Sequence, residues 1–292
     1  MIHRLIEEVV FRLSMPAHQG LPKGDLSHRP ATFSADKYDE WRNESLKDQF
    51  EAYFHWDQIR GKRVLDFGCG TGPLSLLCAR NGAQSVTGID LAADRIERAR
   101  ASVNGNSNVR FILEEHTDRI SLPDSSIDVI LCFDVMEHVM DYETIMREWA
   151  RVLAPGGSVL IWWSVWWHPY GHHMHTMIPL PWVHVVMSDE SLFRVCARIY
   201  DTPQFQPRIW HFDAAGNRKP NPYRGIVQFD DLNKLTIRRF DQTAGRAGLR
   251  PRRKQINPFS GSTLSRVKRV LARLPWPDFF CASAVYELEK PA

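Results

Sequence analysis

The sequence lacks what would mark a disulfide-stapled, membrane-spanning or repetitive protein. It has only five cysteines in 292 residues, at 69, 78, 132, 196 and 281, with no C-x-x-C pair. An odd, scattered set argues against a disulfide framework or a zinc ribbon and fits a reducing cytosol. The most apolar run, Ser158 to Trp167, is about half the ~20 residues that a membrane helix needs. Glu7 and Glu8 interrupt the apolar N-terminal stretch, which therefore does not read as a signal peptide. There is no internal repeat and no low-complexity tract. Charge of one sign is also scarce: Lys+Arg 37 against Asp+Glu 34 leaves +3, too little by itself to imply a nucleic-acid binder.

The length suits one core domain with an insertion or appendage. Residues 1–60 read as a helical extension, with amphipathic stretches at Leu5 to Leu13 and Glu44 to Ile59 around a Pro- and Gly-containing linker from Pro16 to Pro30. From Lys62 short strands and helices alternate. Strands are expected at Arg63 to Phe67, Ser85 to Asp90, Val109 to Leu113, Ile127 to Phe133 and Ser158 to Val165. Helices are expected at Pro73 to Asn81, Ala92 to Val103 and Asp141 to Leu153. The Ile127 to Phe133 run is almost wholly apolar, as a strand buried on both faces should be. This alternation predicts a doubly wound, mostly parallel sheet. It breaks at 166–229, where Pro, Trp, Tyr and His accumulate around a single helix at Asp189 to Tyr200. A long helix at Asp230 to Ala247 follows. Two late strands, Leu249 to Ile256 and Phe280 to Leu288, bring the sheet to about seven.

The sharpest local signal is Asp66-Phe-Gly-Cys-Gly-Thr-Gly72, between a strand and a helix. Gly68, Gly70 and Gly72 allow a tight turn and close approach of a ligand to the backbone. The dinucleotide spacing G-x-G-x-x-G is not met, because Pro73 stands at the third position. Asp66 before the glycines would repel a pyrophosphate. A carrier with a sulfonium and an ammonium and no phosphate, such as S-adenosylmethionine, would favour it. Asp90, twenty residues after Gly70, ends the second strand, where a carboxylate can accept both ribose hydroxyls.

These residues, with Leu122-Pro-Asp124, Ile127-Asp-Val129 and Leu153-Ala-Pro-Gly-Gly157, occur in the order and spacing of a class I S-adenosylmethionine-dependent methyltransferase. The chain resembles the type-11-like members over about residues 60–165. The resemblance implies a seven-stranded Rossmann-like methyltransferase sheet and a cofactor site built on Asp66, Gly68, Cys69, Gly70, Gly72 and Asp90. It further implies Leu91 against the adenine, Asp118 near the adenine amino group, and Phe133 and Asp134 beside the methionine part. The product would be S-adenosylhomocysteine.

Cys132-Phe-Asp-Val-Met-Glu-His-Val139 is similar to the fourth-strand motif of ubiquinone-biosynthesis O-methyltransferases. There an E-x-x-E-H pattern is associated with a divalent metal. Asp134, Glu137 and His138 here give D-x-x-E-H, a candidate ligand set in which Asp reaches less far than Glu. Without a metal, His138 is a candidate general base. Six of ten tryptophans (162, 163, 166, 167, 182, 210) and six of twelve histidines (168, 172, 173, 175, 184, 211) fall between 162 and 211. We expect 166–229 to be a lid with its own small core that also walls a flat apolar acceptor pocket. A phenol titrates near ~10, so a neutral imidazole is a fitting acceptor of its proton. His172 and His173, after Gly171, are the candidates there.

Residues 238–273 hold eleven Lys/Arg and one acid, Asp241, so this stretch carries +10 and the rest −7. Thr263 to Leu274 reads as a basic amphipathic helix followed by Trp276. Such a segment can lie peripherally on an anionic membrane, hold an acidic molecule, or pack as a solvated helix. The expected partner is a small apolar or aromatic acceptor, with O-methylation first and no nucleic acid. The alternatives are a nucleic-acid methyltransferase using the basic surface, a non-catalytic cofactor-binding module, and a dinucleotide oxidoreductase.

Overall fold

The computed structural model describes residues 2–18, 35–103, 105, 108–205, 207–213, 216–258 and 277–292. The chain forms two compact units, one made of 1–41 and 166–232, the other of 42–165 and 233–292. In chain order the elements are α1 (Ile2–Ser14), α2 (Ala35–Tyr53), β1 (Arg63–Phe67), α3 (Pro73–Arg80), β2 (Ser85–Asp90), α4 (Ala93–Ala101), β3 (Val109–Leu113) and β4 (Ile127–Phe133). Then come α5 (Tyr142–Val152), β5 (Leu153–Trp163), α6 (Val183–Val186), α7 (Asp189–Tyr200), α8 (Ile237–Arg246), β6 (Arg250–Pro258) and β7 (Cys281–Glu289).

The second unit carries the sheet, in the order β3-β2-β1-β4-β5-β7-β6. β1 to β5 pair in parallel, and β7 runs antiparallel to both β5 and β6. This is the doubly wound, mostly parallel sheet that the strand–helix alternation predicts, with the seven strands that the resemblance implies. β4 lies between β1 and β5 and is buried at six of its seven positions, which accounts for its apolar sequence. Register aligns the C-terminal ends of the central strands: Phe67 pairs with Ile89, and Asp66 with both Gly88 and Leu131. The loops after β1, β2 and β4 therefore leave from one edge of the sheet, where α/β folds bind ligands.

Local chemistry sets the helix starts. Pro73 occupies the first turn of α3, where its missing N–H costs nothing. Asp141 Oδ1 accepts from Thr144 N at 3.1 Å, and Ser188 Oγ accepts from Ser191 N, capping α5 and α7. The helix expected over Asp230 to Ala247 is shorter. Thr236 Oγ1 caps it by accepting from Arg239 N, and Asp278 Oδ1 accepts from Ile237 N at 2.7 Å, so α8 starts at Ile237. The expected stop at Pro155-Gly156-Gly157 is instead the first part of β5, which begins at Leu153, paired with Ile127 across an irregular register.

The 1–60 extension is not a unit of its own. α1 packs on α7, where Glu7 accepts from Ser191 Oγ and Arg194, and Val10 joins the first unit's core with Leu192, Ile199 and Trp166. Phe50 of α2 and Phe54, just beyond its end, belong to the sheet's core. The 166–229 segment does have its own core, and Trp166 lies in it. Trp163 instead stacks on Phe240 under the sheet, with centroids 5.5 Å apart. The linker around Pro16 to Pro30 falls largely, and the basic helix Thr263 to Leu274 wholly, outside the described residues. Among the described residues no helix is long and apolar enough to cross a membrane.

Phe240 is fully buried between Trp163 and Tyr286. Phe240→Ala should lower unfolding stability by about 3–5 kcal/mol, read by denaturant titration. A loss under 1 kcal/mol would contradict this packing.

Candidate active site

The glycine loop joins the end of β1 to α3. Gly68 N and Cys69 N both donate to Ile89 O at 2.9 Å, laying the loop across the end of β2. Gly72 adopts φ +85, and an added Cβ would lie 2.4 Å from Phe111 Cζ, so only glycine fits where the chain enters α3. Gly70 adopts φ +55, and an added Cβ there would meet nothing within 4 Å. Bare backbone therefore faces open space at Gly70. Cys69 is buried, and burial pushes its thiol up, so it packs beneath the loop as an inert neutral group.

Asp90 holds this loop. Its Oδ2 accepts from Gly70 N and its Oδ1 from Ala92 N, both at 2.9 Å. It thus ties the loop and also holds Ala92, the residue before α4. A carboxylate offers about four lone-pair sites, so two remain for ribose hydroxyls. Leu91 follows, 55% exposed, beside the same edge. Asp118 is exposed on the loop after β3. That loop is braced by Glu114, whose carboxylate accepts from Ser121 N and Oγ at 2.8 Å, and by Arg151, which donates to Ile120 O and Leu122 O at 2.8 Å. Asp124 and Asp128 serve structure: the first pairs with Arg151, the second clasps Arg63 through both oxygens.

Two expected cofactor contacts lie elsewhere. Asp66 is sealed beneath the loop, 3% exposed, its Oδ2 accepting from Ser75 Oγ at 2.6 Å. Burial pushes its carboxyl up to about 6 against the Ser75 bond. It joins the end of β1 to α3 through Ser75 and is almost wholly withdrawn from solvent. Phe133 is turned into the core, its ring 5.8 Å from Phe50 and 5.7 Å from Phe54, because α2 covers that face of β4.

Asp134 leaves β4 at φ +60, and its N–H donates to Trp162 O at 2.9 Å. Its carboxylate pairs with Arg42 at 2.7 Å. Glu137 is 3% exposed, with Oε1 accepting from Ser164 Oγ at 2.9 Å. Burial, and then the neighbouring Asp134 charge, push its carboxyl well above the ordinary range. Among the described residues no three His, Cys, Asp or Glu groups are placed to hold a metal. Asp134, Glu137 and His138, the ligand set that the resemblance brought forward, are not among such groups.

His138 is exposed on the 3-10 turn Met136–His138, in the same unit as the glycine loop. His172 and His173 belong to the other unit. His172 is fully buried, and its Nδ1 accepts from Met174 N at 3.0 Å. Burial, then the nearby His184, push it down to about 2. Its accepting lone pair is already used, so it is a structural histidine and not a base. Gly171 is required before it for closeness: a Cβ would lie 1.8 Å from Trp166 O. His173 is exposed, at φ +53.

Sequence reasoning passed over Ser75, Arg42 and Ser164, the partners of the three acids. Only Ser75 left a local trace, as the polar residue among Pro73, Leu74, Leu76 and Leu77. The described part of the basic segment is largely paired: Arg239 and Arg246 with Glu143, Arg252 with Glu289, Lys254 with Asp241.

Residues 65–161 match the family described as "Methyltransferase domain". A ubiquinone biosynthesis O-methyltransferase of Neisseria meningitidis serogroup C is 41% identical over 103 residues, 35% of this chain and 43% of that protein. One from Erwinia tasmaniensis is 38% identical over 109 residues, 36% of this chain and 43% of that protein. The chain thus spans under half the length of these relatives. Among solved structures, a candidate S-adenosylmethionine-dependent methyltransferase from Listeria monocytogenes aligns with TM-score 0.52 at 16% identity, over 86% of this chain and 100% of that one. The PH0226 protein from Pyrococcus horikoshii aligns with TM-score 0.50 at 17% identity, over 90% and 95%. Strand order and solved structures give the chain the fold of S-adenosylmethionine-dependent methyltransferases, and residues 65–161, which include the glycine loop, resemble the methyltransferase domain. The matched segment begins within β1 and ends within β5.

A carboxyl raised to about 6 when folded binds more protons than the unfolded chain between roughly pH 4 and 6. Its contribution therefore favours folding at low pH and is lost as pH rises through 6. Asp66→Asn should gain on the wild type across that window by on the order of 3 kcal/mol, read by denaturant titration at several pH values. A constant difference between the two proteins would refute the buried, raised carboxyl.

Proposed function

We propose that this protein transfers a methyl group from S-adenosylmethionine to a hydroxyl oxygen of a small, apolar or aromatic molecule of the quinone-precursor, lipid or natural-product kind. The observation that carries the cofactor reading is the Asp90–Gly70 tie. It preforms a loop with bare backbone outward and a carboxylate with spare acceptor capacity at its end. The donors and acceptors present fit the cofactor: Asp90 for ribose hydroxyls, exposed Leu91 and Asp118 for the adenine, the Gly68–Gly72 backbone and Asp134 for the amino-acid part. When bound, the cofactor supplies an already activated methyl group. The protein's share is alignment, exclusion of water and removal of one proton.

His138 is the base in this reading. Its exposed imidazole sits on the turn after β4 and takes the proton of the acceptor hydroxyl as the oxygen–methyl bond forms and the sulfur–methyl bond breaks. Acceptor choice is assigned to the aromatic 166–229 segment, which continues the chain directly from the C-terminal end of β5. The two relatives' names place them in O-methylation for ubiquinone biosynthesis. That favours oxygen over carbon or nitrogen as the atom methylated. Pairing of Arg239, Arg246, Arg252 and Lys254 with acids speaks against a nucleic-acid surface on the described part of the basic segment.

Calorimetry should show S-adenosylmethionine binding to the wild type. Asp90→Ala removes two charge-assisted bonds and should weaken it roughly 100-fold or more; unchanged affinity refutes the ribose assignment. A labelled-methyl screen of phenols, quinone precursors, lipids and RNA should give product with the first three classes only. On any acceptor found, His138→Ala should slow turnover about 10²–10⁴-fold at neutral pH, and an undiminished rate would remove His138 as the base.

A further inference from the structure

Asn233 is the residue at which the chain re-enters the sheet-bearing unit after the 166–232 excursion. It is 6% exposed, and every polar group of its side chain is used. Its Nδ2 donates to Met136 O at 2.8 Å and to Val139 O at 2.9 Å. Its Oδ1 accepts from Leu235 N at 3.1 Å. Its own N–H donates to Glu137 O at 2.8 Å. Three carbonyls of the turn after β4, those of Met136, Glu137 and Val139, are thus held by one residue almost a hundred positions away.

Within the 3-10 turn itself, His138 N donates to Val135 O at 2.8 Å and Val139 N to Met136 O at 3.2 Å. The turn starts from Asp134 in the left-handed region, a conformation that costs of order 1 kcal/mol or more unless its surroundings impose it. It also bears on the glycine loop: a Cβ at Gly68 would lie 2.6 Å from Val135 Cγ2, so the Val135 methyl groups are packed on that glycine.

We infer that Asn233 is a positioning residue for the cofactor loop, acting through the Val135–Val139 turn. Its amide fixes the turn, the turn presses Val135 onto Gly68, and the same turn sets where Asp134 and His138 stand. The cofactor part of this inference rests on the function proposed above. The clamp itself does not.

The test compares wild type, Asn233→Ala and Tyr286→Phe. The last removes the buried Tyr286 Oη–Asp241 bond between β7 and α8 and serves as a stability control away from the loop. Amide hydrogen exchange reads the His138 and Val139 N–H groups, and calorimetry reads affinity for S-adenosylmethionine. Asn233→Ala should speed exchange at both amides and weaken binding, each roughly tenfold or more. Tyr286→Phe should leave both near wild type even where it lowers the melting temperature. Wild-type-like exchange and affinity in Asn233→Ala, or equal effects in Tyr286→Phe, would overturn the inference. Should Asn233→Ala not fold, the milder Asn233→Ser, which keeps one donor, carries the same comparison. A wild type that binds no S-adenosylmethionine refutes the proposed function, and the exchange rates still decide the clamp.

Discussion

The site depends on one carboxylate. Asp90 ties Gly70 to the end of β2 and bonds to Ala92 N just before α4, so a single side chain links the loop, the strand end and the turn into the helix. Without it, three glycines with positive φ would have little reason to hold one shape, since each gives up more conformational freedom than any other residue. The two lone-pair sites that this arrangement leaves open are what make it a binding group as well as a brace.

Charge around the loop is divided between sealed and edge positions. Asp66 and Glu137 are both about 3% exposed, and burial drives both toward the protonated form. Asp90 and Asp134 stand at the sheet edge with charge-assisted partners, two backbone amides for one and Arg42 for the other. The negative face offered to a cationic cofactor is therefore carried by the edge pair. The sealed pair braces the scaffold through Ser75 and Ser164.

The elements nearest the cofactor were the most legible in the sequence. β1 to β4 and α3 to α5 follow the apolar runs within a residue or two, because those runs are short, buried and bounded by Gly, Pro or Asp. The loop and Asp90 were legible because their function needs particular residue types at fixed spacing. What failed was whatever depends on distant contacts. Phe133 faces the core because α2, some eighty residues earlier, brings Phe50 and Phe54 over it. His172 is buried because the 166–232 segment folds around it. β5 runs through Pro155-Gly156-Gly157 because β4 offers Ile127 as a pairing partner. Arg42 and Asn233 carry no local signal, since each acquires its role only when the chain returns to the sheet edge.

The most direct measurement is a crystal structure of the wild type grown with S-adenosylhomocysteine. The account predicts the ribose hydroxyls within hydrogen-bond distance of both Asp90 oxygens, and the amino-acid part over the Gly68–Gly72 backbone. A ligand bound elsewhere, or a nucleotide phosphate resting on those glycines, would contradict it.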